Sequence, residues 1–318
     1  MRWIEAIPQL GVGARREPLT HHPSAFIQGD NTMHRAAWRL WACLLGALPA
    51  LAATPNATVQ AAKPSALRPV VLVYAGAPVC SGCEQPVLDL IRKPKTPALQ
   101  ALAPESRVIR RWADIPKALK SLPPRSVFLI PGTEDDLRAW AQGGSQAMSA
   151  QSIRAIQQWV HAGGRYAGIC GGAIIAQARY EDEQFAFDAL NLAKMEADNF
   201  AGEDAIERIE PVHWLPKQMT FGAYFQAGSV MTLLPSKERS EVWATYLATK
   251  GRVQHPAGIA AAMFSYGQGK VFVSGVHLEA THDFWDQAPP DFVPHTELLE
   301  AVLADLMQDR PIGRVSKH

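Results

Sequence analysis

Short, unbroken apolar runs separated by polar and glycine-containing stretches dominate the chain from residue 70 onward. Val70–Tyr74 is the first, and Val127–Ile130 and Tyr166–Ile169 repeat it. A strand that is apolar at every position is buried on both faces, as in a parallel sheet. Between these runs the apolar spacing becomes helical. Glu84 to Arg92 carries one such pattern. Ser149 to Ala162 carries another, with Ile153, Ile156 and Val160 on one face, Ser149 and Ser152 suited to its start, and Gly163-Gly164 at its stop. A further strand is predicted around Val108. An apolar helix is predicted from the glycines after Ile169 to about Ala178.

From Tyr180 to about Thr220 the pattern turns irregular and more acidic, which predicts an insertion lying over the sheet. Strands then return at Val230–Leu234, Val242–Leu247, Ile259–Phe264 and Val271–Gly275, with Gly267-Gln268-Gly269 as a hairpin turn between the last two. Thr296 to Met307 is a closing amphipathic helix. Strands alternating with helices predict an α/β fold with a doubly wound, mostly parallel sheet and antiparallel additions late in the chain. There is no internal repeat.

The first 69 residues do not fit this scheme. The longest apolar run is Leu40–Ala53, preceded by His34, Arg35 and Arg39 and ending near small residues at Ala50 and Ala52. A basic segment, an apolar stretch and small residues in that order predict a signal peptide over 33–52 and a periplasmic or secreted protein. Met33 precedes the basic segment, so residues 1–32 read as an over-extended start. Residues 53–69 read as a polar, proline-containing linker, 70–310 as the domain and 311–318 as a tail. Cys43 has most of the apolar run after it, which argues against a lipoprotein.

Charge narrows the range of partners. The 318 residues include 31 Lys plus Arg and 30 Asp plus Glu, a net charge of +1. The leader holds five arginines and three acidic residues, so removing it turns +1 into −1. A chain this neutral has no general attraction for nucleic acid or anionic lipid. The expected partner is a small molecule or another protein, with no membrane association after signal removal.

Three segments carry candidate chemistry. Gly168-Ile169-Cys170-Gly171-Gly172 is a strand entering a tight turn and leaving as a helix, with glycines two before and two after the central residue. Such an elbow projects Cys170 above the sheet at a helix start, where a thiol is activated as a nucleophile. Val271–Glu279 offers His277 and Glu279 at i and i+2, which on a strand share one side, so Glu279 can orient an imidazole that serves Cys170 as base. Leu129-Ile130-Pro131-Gly132-Thr133 ends a strand where the Gly132 N–H, with that of Gly171, would supply two oxyanion donors. Each alone has an ordinary reading: a structural Cys, a surface ion pair, a turn. Together they sit at the carboxyl ends of strands, where open α/β sheets place their sites.

The combination resembles the class I glutamine amidotransferase-like superfamily, whose members use a Cys-His-Glu triad. Where its members commonly read His-Pro-Glu, this chain reads His277-Leu278-Glu279. The resemblance is closer to the family of the biotin-protein ligase N-terminal domain. It is carried by Val71–Gly76, Ala223–Gly228, Trp243–Tyr246 and Gly267 through His277, and covers most of 70–310. It implies a flavodoxin-like domain hydrolysing a carboxamide or amide C–N bond of a small-molecule or peptide substrate through a thioester, with no cofactor or metal. No ligase domain, nucleotide loop or fused synthetase domain follows, so ligase activity is not implied and hydrolysis is favoured over amide transfer. The rival readings are a non-catalytic binding protein on the same fold and a thiol-redox protein.

The redox reading rests on Cys80-Ser81-Gly82-Cys83, which follows a strand and opens a helix containing Pro86. It is either a structural disulfide or a redox pair. Zinc would need partner ligands that the sequence does not offer, and His282 with His277 is a weak alternative. His161, His213 and His255 read as surface residues. Trp112, Trp140 and Trp159 read as packing, and Glu181-Asp182-Glu183 as a solvated run.

Overall fold

The computed structural model describes residues 67–133, 137–142, 147–181, 185–199, 207–247, 258–285 and 288–313. The predicted start segment and signal peptide, most of the linker and tail, Asp182, Glu183 and His255 lie outside the described residues. The strands begin with β1 (Val70–Tyr74), β2 (Glu105–Ile109), β3 (Val127–Ile130), β4 (Arg165–Ile169), β5 (Arg179–Glu181), β6 (Ala186–Asp188) and β7 (Met195–Asn199). They continue with β8 (Arg208–Trp214), β9 (Met219–Phe225), β10 (Ser229–Leu233), β11 (Ser240–Tyr246), β12 (Ile259–Tyr266) and β13 (Gly269–Ser274). The helices are α1 (Gln85–Arg92), α2 (Pro97–Leu102), α3 (Ile115–Lys120), α4 (Arg138–Gln142), α5 (Ala150–His161), α6 (Gly171–Ile174) and α7 (Thr296–Leu306).

The main sheet runs β2-β1-β3-β4-β13-β12-β11-β8-β9, with β10 on β12 and β7 on β10. Its first five strands are parallel. Beyond β13 every pairing is antiparallel. The fold is α/β, and its antiparallel part is larger than the sequence pattern indicates.

Alternation along β1 explains its composition. Val71 and Val73 join one apolar cluster with residues of α1 and α7, while Leu72 and Tyr74 join another with residues of α3 and α5. Both faces are covered, so no polar position is tolerated. Each aliphatic side chain buried this way contributes about 1.5–3 kcal/mol. Trp112 and Trp140 are fully buried on the second face. The α5 start is as expected: the Ser149 hydroxyl accepts from the Ser152 N–H at 3.1 Å, capping the helix. Gly267-Gln268 closes the β12–β13 hairpin, in which Tyr266 faces Gly269.

Two expectations need correction. The region from Tyr180 to Thr220 is not an irregular insertion, because β8 and the start of β9 are members of the main sheet and β7 extends its β10 branch. In β8 the inward positions are Glu210, Val212 and Trp214. A buried Glu at the first of these, with Pro211 beside it, hides the alternation. Glu210 is held by Arg208, whose Nε donates to Oε1 at 2.6 Å, while the guanidinium lies 4.3 Å from the Phe225 ring centroid.

The helix after Cys170 also stops early, at Ile174 rather than Ala178. The returning chain takes its next carbonyls: Leu190 N–H bonds Ile175 O, Leu192 and Ala193 bond Ala176 O, and Asn191 bonds Gln177 O. Ala176 and Gln177 already bond three residues back, to Ala173 O and Ile174 O, and the returning segment takes the carbonyls that follow.

Candidate functional site

Cys170 joins β4 to α6 with φ 53° and ψ −114°. A side chain in this left-handed region costs on the order of 1–3 kcal/mol and persists only where its surroundings enforce it. They do so here by close approach. A Cβ on Gly168 would lie 2.3 Å from Gly172 O, and one on Gly172 would lie 2.2 Å from Ile130 O. The Cys170 N–H is bound to Ser274 O of β13 at 2.7 Å. Neighbouring strands therefore clamp the elbow, and Cys170 is the free cysteine of the described residues, 6% exposed. Because α6 is a single turn, the positive helix end expected behind the thiol is reduced to a few oriented N–H groups.

His277 lies three residues past β13, where its N–H bonds Tyr224 O at 3.0 Å. Its Nδ1–H donates to Glu279 Oε1 at 2.9 Å. The sequence expected this contact from strand alternation, but β13 ends at Ser274 and a turn brings the two together, with Ala280 N–H on His277 O. Glu279 is fully buried, and its Oε2 has no hydrogen-bond partner. Burial opposes a charge on the imidazole. The charges of Glu279 and Cys170 outweigh it and push the His277 pKa up to about 10.

Gly132 packs against this imidazole, since a Cβ there would sit 2.5 Å from His277 Cε1. Gly171 is equally confined, by Thr133 Oγ1 at 2.0 Å from the same hypothetical atom. Gly171 opens α6, so its N–H has no acceptor four residues back. Cys80 and Cys83 form a disulfide at the start of the segment leading into α1. The Cys80 N–H approaches Gly132 O at 3.4 Å, tying the disulfide to the turn that flanks His277.

Cys170, His277, Thr133 and the Cys80–Cys83 loop line one cleft of about 650 Å³. Its lining also includes residues to which the sequence reading gave no site role: Glu207, Tyr224 and Gln226. Gln226 O lies 3.7 Å from the Cys170 sulfur. The Tyr224 ring stands at 5.1 Å from that of His277, and its hydroxyl donates to Glu207 Oε1 at 2.8 Å. Trp285 Nε1–H donates to Glu207 Oε2 at 2.8 Å. The signal available for this part of the lining was Ala223–Gly228, quoted only for its resemblance; Tyr224 and Gln226 stand at i and i+2 where β9 ends.

The remaining candidates lie elsewhere. His282 packs edge-on against Phe292 at 5.5 Å. His161 is exposed at the end of α5, as expected, with its ring edge-on to Tyr266 at 5.9 Å. Among the described residues no group of three His, Cys, Asp or Glu is placed to hold a metal ion, and no helix is long and apolar enough to cross a membrane.

No family model and no curated protein matches the chain. Similar solved structures include a glutamine amidotransferase, 20% identical over 65% of this chain and 90% of that one, with a TM-score of 0.42. A ThuA-like protein from Bacteroides uniformis is 14% identical over 78% of this chain and 94% of that one, with a TM-score of 0.43. A β-galactosidase from Rahnella is 12% identical over 74% of this chain, at a TM-score of 0.40, and the overlap spans 31% of that enzyme. These likenesses are loose and concern chain path alone.

Proposed function

We propose that the chain is an exported Cys-His-Glu hydrolase of carboxamide or amide C–N bonds, on a flavodoxin-like domain of the class I glutamine amidotransferase-like kind. The order β2-β1-β3-β4-β13 supports the flavodoxin-like part, since it is the 2-1-3-4-5 order of that fold. The predicted leader supports export. The sequence blocks quoted above support kinship with the biotin-protein ligase N-terminal domain, without its ligase chemistry.

One observation carries the reading: a cysteine in a strained elbow shares a cleft with a buried imidazole whose far nitrogen is bound to a buried carboxylate. A base oriented by a third group is the general device for activating a nucleophile. In the proposed reaction Cys170 Sγ attacks the amide carbon, and its proton passes to His277 Nε2. The N–H groups of Gly132 and Gly171 hold the oxyanion. His277 returns the proton to the leaving nitrogen, the C–N bond breaks and a Cys170 thioester remains. Water, deprotonated by His277, then attacks the thioester, releasing the acid and restoring the thiol. Glu279 keeps the ring in one tautomer throughout.

Ammonia release from glutamine and small primary amides tests the reading. We expect Cys170→Ala to lower it by at least about 10³-fold with the far-UV spectrum unchanged. Absence of release by the wild type, with Cys170 inert to a glutamine-like electrophile under reducing conditions, overturns the proposal.

A further inference from the structure

The carboxylate of Glu207 is built differently from the other acids along the cleft. Both oxygens are engaged by neutral donors, Tyr224 Oη–H on one and Trp285 Nε1–H on the other. Two rigid rings thereby fix the plane of the carboxylate, and Glu207 itself stays exposed in the cleft wall. No Lys or Arg pairs with it among the described residues. Asp89 is met by Arg92, Glu300 accepts the Lys95 and Thr96 N–H groups, and Asp283, like Glu207 without a paired cation, has no hydrogen bond to orient it among the described residues.

Short contacts link this carboxylate to the reactive centre. Tyr224 gives its carbonyl to the His277 N–H and its hydroxyl to Glu207, while Gln226 O lies against the Cys170 sulfur. Burial and the neighbouring Glu207 push the Tyr224 pKa well up, so the hydroxyl keeps its proton and remains a donor. An oriented anion beside a nucleophile, with no cation paired to it among the described residues, has open lone pairs on the cleft side. An ammonium or guanidinium satisfies them with charge-assisted hydrogen bonds.

We infer that Glu207 is the specificity-determining subsite for a cationic group, so that the substrates are amides carrying a free amine or guanidine near the scissile carbonyl. The inference rests on the amide-hydrolase reading of the Cys170 cleft. Its consequence is selective: an amino-acid amide is accepted with its amine free and disfavoured once that amine is acylated.

The test is calorimetric titration of Cys170→Ala protein, which binds without turnover, using L-leucinamide and L-glutamine beside their N-acetyl counterparts. We expect at least one free amine to bind about tenfold more tightly than its acetylated partner. Glu207→Gln in the same background should equalise the pair, and Glu207→Asp should keep part of the difference. Melting temperatures near that of the parent confirm folded variants. Equal or absent binding within both pairs, or a preference that survives Glu207→Gln, overturns the subsite. Failure of the hydrolase reading appears separately, as wild-type protein that binds the amine selectively yet releases no ammonia.

Discussion

The parallel and antiparallel halves of the sheet contribute to one cleft by different means. The parallel half supplies the elbow between β4 and α6, the turn after β3 and the turn after β13. These are strand ends held by neighbours that are apolar on both faces. The antiparallel half supplies Tyr224, Gln226 and Glu207 from around β9, whose partner β8 buries an ion pair. The parallel half holds its groups by close backbone approach and one buried His277–Glu279 hydrogen bond, the antiparallel half by side-chain hydrogen bonds in the cleft wall. The comparison teaches that a proposed reactive centre with little room for change can share its cleft with a wall held by side-chain contacts.

That contrast can be challenged by substitution. The largest effect is expected at Glu279, where Glu279→Gln removes the anion that orients His277; amide hydrolysis should fall about 10³-fold. Burial works against the His277 charge, but Glu279 and Cys170 raise its folded pKa above the ordinary 6.5 to about 10. The stabilisation from this pairing is therefore fully present below pH 6.5 and lost as the pH rises through about 10. Urea denaturation of wild type and Glu279→Gln at several pH values should show their difference shrinking over that window. A constant difference would mean that His277 does not titrate there.

Next comes the buried pair in the antiparallel half. Arg208→Leu removes the Nε–H donor from the buried Glu210 carboxylate and should cost about 3 kcal/mol in urea denaturation, whereas Arg208→Leu with Glu210→Leu should recover most of that loss. If the double variant is as unstable as the single, the pair is not what holds β8.

The smallest effect separates the halves by their glycines. A Cβ at Gly168 meets backbone at 2.3 Å, whereas one at Gly222 meets Ile209 Cγ2 at 2.3 Å, a side-chain methyl that can turn aside. Gly168→Ala should cost about 3 kcal/mol and Gly222→Ala under about 1 kcal/mol, read from the same denaturation curves. Equal costs would erase the distinction.

The legibility of the two halves in the sequence follows the same division. Val70–Tyr74, Val127–Ile130 and Tyr166–Ile169 are continuous apolar runs because helices cover both faces, and a continuous run is visible without knowing its partners. The glycine pattern around Cys170 is local as well, since the close approaches at Gly168 and Gly172 involve the elbow itself and the adjoining strand. By contrast, β8 hides behind Pro211 and a buried Glu whose partner lies two residues away, and pattern reading takes it for irregular chain. The end of α6 was also out of reach, because residues 190–193 come back to bond the carbonyls of residues 175–177 just beyond it.

The sequence by itself therefore determined the elements whose causes are local: the buried parallel strands, the Cys170 elbow, the Ser149 cap and the Gly267-Gln268 hairpin. Tertiary structure decided what depends on distant chain. It brought His277 to Cys170 across β4 and β13, met Glu279 through a turn rather than a strand, and set Glu207 against Tyr224 and Trp285. The physical reason is range. Steric and periodic constraints act within a few residues, while hydrogen bonds to buried or cleft-facing charges are made wherever folding delivers a partner.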